Sequence, residues 1–193
     1  MDKKKQKLNL IATIQKAHLE IDKELQTNYQ RSISFQDSII DRYERAKILN
    51  FGEKTSIYNS SFVFGNVNVG KNTWIGPNTI LDGSGDYLEI GDFCSISSGV
   101  QIYTHDTVMW AISGGKHAYK KNRVKIGSFN HIGSLSIINH GVEIGNHCVI
   151  AANSFVNCNV SDRSIFGGTP AKKIGEVVGK NDNLTLQYKR KKD

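Results

Sequence analysis

A six-residue hydrophobic period constrains this chain more than any other feature. Ile57, Val63, Val69, Ile75 and Leu81 stand six apart, and Ile90, Ile96 and Ile102 resume the step after a three-residue slip. Ile126, Ile132, Ile138, Ile144, Ile150 and Val156 then hold it without a break. A helix repeats at about 3.6 residues and an alternating strand at about two, so neither accounts for the pattern. A sustained six-residue step marks a solenoid of short strands, each hexapeptide one strand and one corner. Glycine follows the apolar residue in Val69-Gly70, Ile75-Gly76, Ile90-Gly91, Ile126-Gly127, Ile132-Gly133 and Ile144-Gly145, where it is expected to relieve the corner. Thr73, Thr79, Cys94, Ser136, Cys148 and Ser154 stand two before the next apolar position, as small residues filling a narrow bore. Cys94 and Cys148 therefore read as core residues, not as nucleophiles or ligands.

The flanks differ. Residues 1–50 read as a helical segment, with Leu8, Ile11, Ile14, Ile21 and Leu25 near helical spacing. A second helix is expected to begin at Ser34, an N-cap with Asp37 three residues on, and these helices are expected to cover an open end of the solenoid. The repeat domain spans residues 51–178, with a loop excursion at 103–123, and residues 179–193 form a basic tail. The formal charge of +7 gathers at the ends, on Lys3, Lys4, Lys5 and Lys7 and on Lys189, Arg190, Lys191 and Lys192. Such ends read as solvated termini, and no nucleic-acid partner is expected. Three cysteines without a C-x-x-C pair point to reduced thiols and a cytoplasmic protein. No run reaches membrane-spanning length and no signal-peptide core opens the chain, so no membrane insertion is expected.

The [Ile/Val]-Gly hexapeptides, ending in Phe166-Gly167-Gly168-Thr169-Pro170-Ala171-Lys172-Lys173-Ile174-Gly175, resemble the hexapeptide-repeat acyltransferases. Within them the chain is most similar to the maltose, galactoside and xenobiotic acetyltransferase branch. The resemblance implies a mainly β fold, a left-handed parallel β-helix with three hexapeptides to a coil and an N-terminal helical segment. That hand is an exception to the usual right-handed crossover and comes from the resemblance alone. It also implies a homotrimer with sites in clefts between subunits, and acetyl-CoA as cosubstrate with no metal.

The excursion at 103–123 is where the chemistry is expected, because insertions into repeats gather on a binding face. His105 stands at its root, in the Thr-His context of the family's catalytic histidine. An imidazole titrating near neutral pH suits removal of a hydroxyl proton as the oxygen attacks a thioester. Asp82, in the slip about one coil earlier, could orient the imidazole, bind substrate hydroxyls or simply close a glycine-rich turn. Asp106, whose side chain should point away from that of His105, and Trp110, suited to stacking on a sugar with Tyr119, complete the expected acceptor site. By alignment with the family, the Ser134 amide meets the thioester oxygen, Ala151 and Ala152 line the pantetheine groove, and Asn157 and Lys172 meet the nucleotide end. His131 falls at a position that is often Trp in the family. His140 and His147 read as residues decorating the surface.

These positions imply acetyl transfer from coenzyme A to a hydroxyl of a sugar or polysaccharide precursor, direct and without a covalent enzyme intermediate. The alternative acceptor is the amine of an amino-sugar nucleotide. A zinc enzyme like the γ-type carbonic anhydrases fits less well. Two of that family's ligands sit five residues apart, whereas His140 and His147 are seven apart. A non-catalytic β-helix scaffold would leave the excursion unexplained.

Overall fold

The structure is a computed structural model that describes residues 3–189. The chain divides into two compact units, Met1–Asp41 and Arg42–Asp193. The first holds α1 (Lys3–Tyr29), against which a 3₁₀ turn, Phe35–Ser38, packs with the Phe35 ring edge-on to His18. The helix expected from Ser34 is only this four-residue turn: Ser34 stands at its N-cap, its carbonyl accepting the Asp37 N–H at 3.0 Å and its hydroxyl bonding the Asp37 carboxylate at 2.8 Å rather than a backbone N–H. The next helix, α2 (Arg42–Ile48), belongs to the second unit. It covers the first coil: Ala46 is buried in the core with Phe51, and the Arg45 guanidinium donates to the carbonyls of Tyr58 and Ser61.

The second unit is the expected left-handed parallel β-helix. Its first face stacks Ser56–Ile57, Trp74–Ile75, Ser95–Ile96, His131–Ile132, Val149–Ile150 and the strand Ser164–Gly167. The second stacks Val63, Leu81, Ile102, Ile138 and Val156. The third stacks Val69, Ile90, Ile126 and Ile144, closed by a bridge to Val160. Residues one coil apart pair at a separation of 18, as Ser136 and Ser154 do, except where an insertion lengthens the coil and in the last coil, where Val149 pairs with Ile165. Ile57, Ile75, Ile96, Ile132 and Ile150 have no exposed surface, and each such side chain contributes about 1.5–3 kcal/mol through burial.

The corners differ from the sequence reading in one respect. The left-handed backbone falls not on the glycines after the apolar positions but further on, at Asn72, Phe93, Phe129, His147 and Arg163 along one edge and at Asn78, Leu135 and Asn153 along another. Glycine is required for close approach. A Cβ on Gly133 would lie 2.5 Å from the Ala152 backbone nitrogen of the next coil. Side chains then tie the coils together: Asn146 Oδ1 accepts the Ser128 N–H at 2.8 Å, and Asp162 Oδ1 accepts the Asn146 N–H at 2.7 Å. The small residues of the bore behave as expected, with Thr73, Ser136 and Ser154 buried and donating to corner carbonyls.

Residues 179–189 are not a tail. After Lys172–Val178 folds back antiparallel on Ser164–Gly167, a short turn leads to Thr185–Tyr188, which adds another antiparallel strand. Arg190, Lys191 and Lys192 lie outside the described residues. No helix among the described residues is long and apolar enough to cross a membrane.

Candidate active site

The slip and the excursion fall at the same corner, between the second and third faces, in adjacent coils. The strand Ile80–Ile90 carries the slip as a bulge, since Gly65 pairs with Gly83 but Val67 pairs with Leu88. The extra residues fold over the start of the excursion. Thr104, fully buried, donates its hydroxyl to the Asp82 carbonyl at 2.9 Å and accepts the N–H groups of Gly85 and Asp86, each at 3.1 Å. Gly85 lies against the next residue so closely that a Cβ there would be 2.5 Å from His105 Cβ. His105 is thus seated by a bulge one coil away.

The His105 side chain is 26% exposed, and its Nδ1 is buried without a hydrogen-bond partner. Asp82 Oδ2 faces that nitrogen at 3.9 Å, with the Asp82 side chain 12% exposed. The other carboxylate oxygen is already committed: Asp82 Oδ1 accepts the Ser84 N–H at 2.9 Å and the Ser84 hydroxyl at 2.6 Å. Two of the roles open to Asp82 in sequence are present in the geometry: Oδ1 closes the glycine-rich turn, and Oδ2 faces the imidazole without a hydrogen bond to it. A carboxylate on the Nδ1 side favours the tautomer protonated there, which leaves the Nε2 lone pair to receive a proton. Catalytic hydrogen bonds are often long before substrate binds, so 3.9 Å is compatible with an orienting contact. The neighbouring Tyr103 hydroxyl has its pKa raised, first by burial and then by the Asp82 charge.

The excursion itself is a hairpin. His105–Asp106 pairs antiparallel with Lys120–Lys121, and α3 (Val108–Ile112) lies between. Asp106 turns away from His105 and has both oxygens occupied. Its Oδ1 accepts the Val108 N–H at 3.0 Å, and its Oδ2 meets His140 Nε2 at 2.6 Å. These bonds, with that of Val108 the largest cause, hold its carboxyl below the usual range. Each Asp106 oxygen thus holds one partner, and the side chain is partly exposed. Trp110 is 44% exposed and packs edge-on against Tyr119, ring centroids 5.7 Å apart, so the loop partly satisfies its own aromatics and still offers ring surface.

The residues expected at the cofactor lie elsewhere on the prism. His131, exposed on the first face, leads through Gly133 to Ser134 at the corner between the first and second faces. Ala151 and Ala152 stack there one coil on, where Gly133 N donates to Ile150 O at 2.8 Å. The Ser134 carbonyl accepts the Asn153 N–H at 2.8 Å, while the Ser134 N–H makes no hydrogen bond among the described residues. Lys172 is exposed opposite Gly167, close to the same edge. Asn157 is exposed at the corner between the second and third faces, following Val156 in the column that also carries Ile102 and Ile138. The expected site residues therefore fall at two different corners of one chain, with Asn157 on the same corner as His105. A groove of 670 Å³ on the third face, between Glu89, Lys125, Glu143 and Asn159, contains none of these residues.

Two contributors escape the sequence reading. Thr104 and the Ser84-Gly85 bulge were legible only as a break in the period, yet that break sits directly against His105. His140 is 6% exposed and bonded through both ring nitrogens, where a surface ornament was expected. Following the column from Ile102 to Ile138 brings His140 to the hairpin's root, a register signal that was available.

Comparison with known proteins follows this geometry. The bacterial transferase hexapeptide family, in its six-repeat form, matches residues 123–158. Protein CapG of Staphylococcus aureus is 45% identical over 98 residues, which are 49% of this chain and 56% of CapG. The chain spans about half the length of the curated relatives it matches. A hexapeptide-repeat acetyltransferase of Vibrio cholerae O1 biovar eltor, solved with acetyl coenzyme A, superposes with a TM-score of 0.62 at 25% identity, over 86% of this chain and 85% of that one. A maltose O-acetyltransferase of Clostridium difficile 630 gives 0.54 at 26% identity, over 86% and 89%.

Proposed function

We propose that this hexapeptide-repeat protein is an acetyl-CoA-dependent O-acetyltransferase acting on a hydroxyl of a sugar or polysaccharide precursor, with His105 as general base. The observation that carries the reading is the His105 ring itself: Nδ1 is buried and unbonded facing Asp82, at the root of an inserted hairpin. In the proposed reaction Nε2 takes the acceptor O–H proton as the oxygen attacks the acetyl carbonyl. The free Ser134 N–H receives the developing oxyanion. Collapse of the tetrahedral species breaks the carbon–sulfur bond, and the imidazolium returns its proton to the departing thiolate. Cys94 and Cys148 take no part, being buried in the bore.

His105 and Ser134 stand at different corners of one prism, so the reading requires that a second copy complete each site. This supports a homotrimer with clefts between neighbours. The free state of all three cysteines fits a reducing, cytoplasmic setting. The similarity to a maltose O-acetyltransferase supports a hydroxyl acceptor. The test is thiol release from acetyl-CoA across a panel of sugars and amino sugars, with products weighed by mass spectrometry. A single acetyl added to a hydroxyl is expected. Acetylated amine with no ester product would replace the acceptor, and no thiol release with any acceptor would remove the reading.

A further inference from the structure

The hairpin that bears His105 is fastened to the prism by one side chain that the proposed reaction does not use. His140 stands one coil beyond, two residues after the inward Ile138. Its side chain is 6% exposed. Nε2 bonds Asp106 Oδ2 at 2.6 Å, on the outgoing strand of the hairpin. Nδ1 lies 3.1 Å from Asn122 Nδ2, on the returning strand. The Asn122 N–H also donates to the Thr104 carbonyl at 2.9 Å, closing the root of the hairpin. Both strands are therefore gripped by the two nitrogens of a single ring.

The bonding pattern has a definite chemistry. A neutral imidazole with its proton on Nε2 donates to the Asp106 carboxylate and accepts the Asn122 amide N–H at Nδ1, which satisfies every polar atom in the chain of contacts. Asp106 passes the constraint on, since its second oxygen bonds the first amide of α3, which carries Trp110. On the other side Asp106 adjoins His105, whose ring position relative to Asp82 follows from the backbone of the same two-residue strand.

We infer that His140 is a positioning residue, a clamp that sets the hairpin and through it His105 and the acceptor wall. The inference rests on the proposed function for its kinetic consequence, but the clamp itself is testable without any substrate. A misplacement of about 1 Å in a reacting group costs up to about a hundredfold in rate. His140→Ala is therefore expected to lower kcat by roughly tenfold to a hundredfold and to raise the KM of the acceptor, while the KM of acetyl-CoA holds, because His131, Ser134, Ala151, Ala152 and Lys172 lie at another corner.

The experiment pairs hydrogen exchange, read by mass spectrometry on the intact chain, with steady-state kinetics. The variants are His140→Ala, Asp106→Ala and Asp106→Asn. Peptides covering 105–122 are expected to exchange at least about tenfold faster in the two Ala variants, with the coils from Ile126 to Val156 unchanged. Asp106→Asn is expected to restore protection. Its amide can donate to Nε2 of the other His140 tautomer, and Asn122 can rotate its oxygen toward Nδ1. Should His140→Ala fail to fold, Asp106→Ala carries the test alone, since its side chain lies in the hairpin outside the core. Wild-type exchange in the Ala variants would overturn the clamp. So would faster exchange with unchanged turnover, or an Asn variant as loose as Ala. If the wild-type protein transfers no acetyl group at all, the functional reading falls, and the exchange result still judges the clamp.

Discussion

At the residue scale, polar side chains in this molecule divide into those consumed by the fold and those left with an unspent atom. Thr104, Ser84 and Asp106 are consumed, each with its oxygens bonded to neighbours. His105 Nδ1 is unspent, and buried polar atoms left without partners are uncommon enough to need a reason. The cysteines show the same division for thiols. Burial pushes the Cys94 thiol up to about 11, and burial also raises Cys148, whereas Cys158 is exposed. Brief treatment of the native protein with iodoacetamide near neutral pH is expected to modify Cys158 alone, as peptide mass mapping would show. Labelling of Cys94 at a comparable rate would mean the bore opens. Lys172 tests the other corner: Lys172→Ala is expected to raise the KM for acetyl-CoA several-fold with turnover less affected. An unchanged KM would reduce the Thr-Pro-Ala-Lys segment to a structural turn.

Elements are where the sequence spoke most clearly and where it misled. The hexapeptide strands were legible because each inward position repeats the same demand, an aliphatic side chain in a bore with room for little else. The role of glycine was legible as a location but not as a cause. Periodicity marks Gly133, and only the stacked coils show that Ala152 of the next turn leaves no space for a Cβ. Gly133→Ala is accordingly expected to destabilise the β-helix by about 1–3 kcal/mol, the cost of overpacking against an immovable backbone. A urea midpoint equal to that of the wild type would contradict this. Ser34 does stand at an N-cap, but of a four-residue turn, and its hydroxyl bonds the Asp37 carboxylate, a local choice that propensity does not weigh. The last strand, Thr185–Tyr188, gave no periodic signal, since it is exposed and joins an edge formed only after the chain reverses. His140 was missed for a related reason: its partners come from a hairpin whose two arms are separated in sequence by the whole excursion.

At the scale of the whole molecule, the proposed homotrimer answers a separation within one chain. His105 is at the corner of the second and third faces, Ser134 at the corner of the first and second, and a prism kept rigid by its stacked coils cannot bring them together. Native mass spectrometry is expected to show three copies of a 21.5 kDa chain. A stable monomer at working concentration would leave both partial sites incomplete and the proposed reaction without a place to occur.

The most direct test of the central claim is the turnover of His105→Ala beside the wild type, with a competent acceptor identified, and coenzyme A binding followed by calorimetry. General-base catalysis predicts a fall in kcat of roughly two to four orders of magnitude with coenzyme affinity preserved. Near-normal turnover in that variant would contradict the account, whatever else of the fold and the assembly stands.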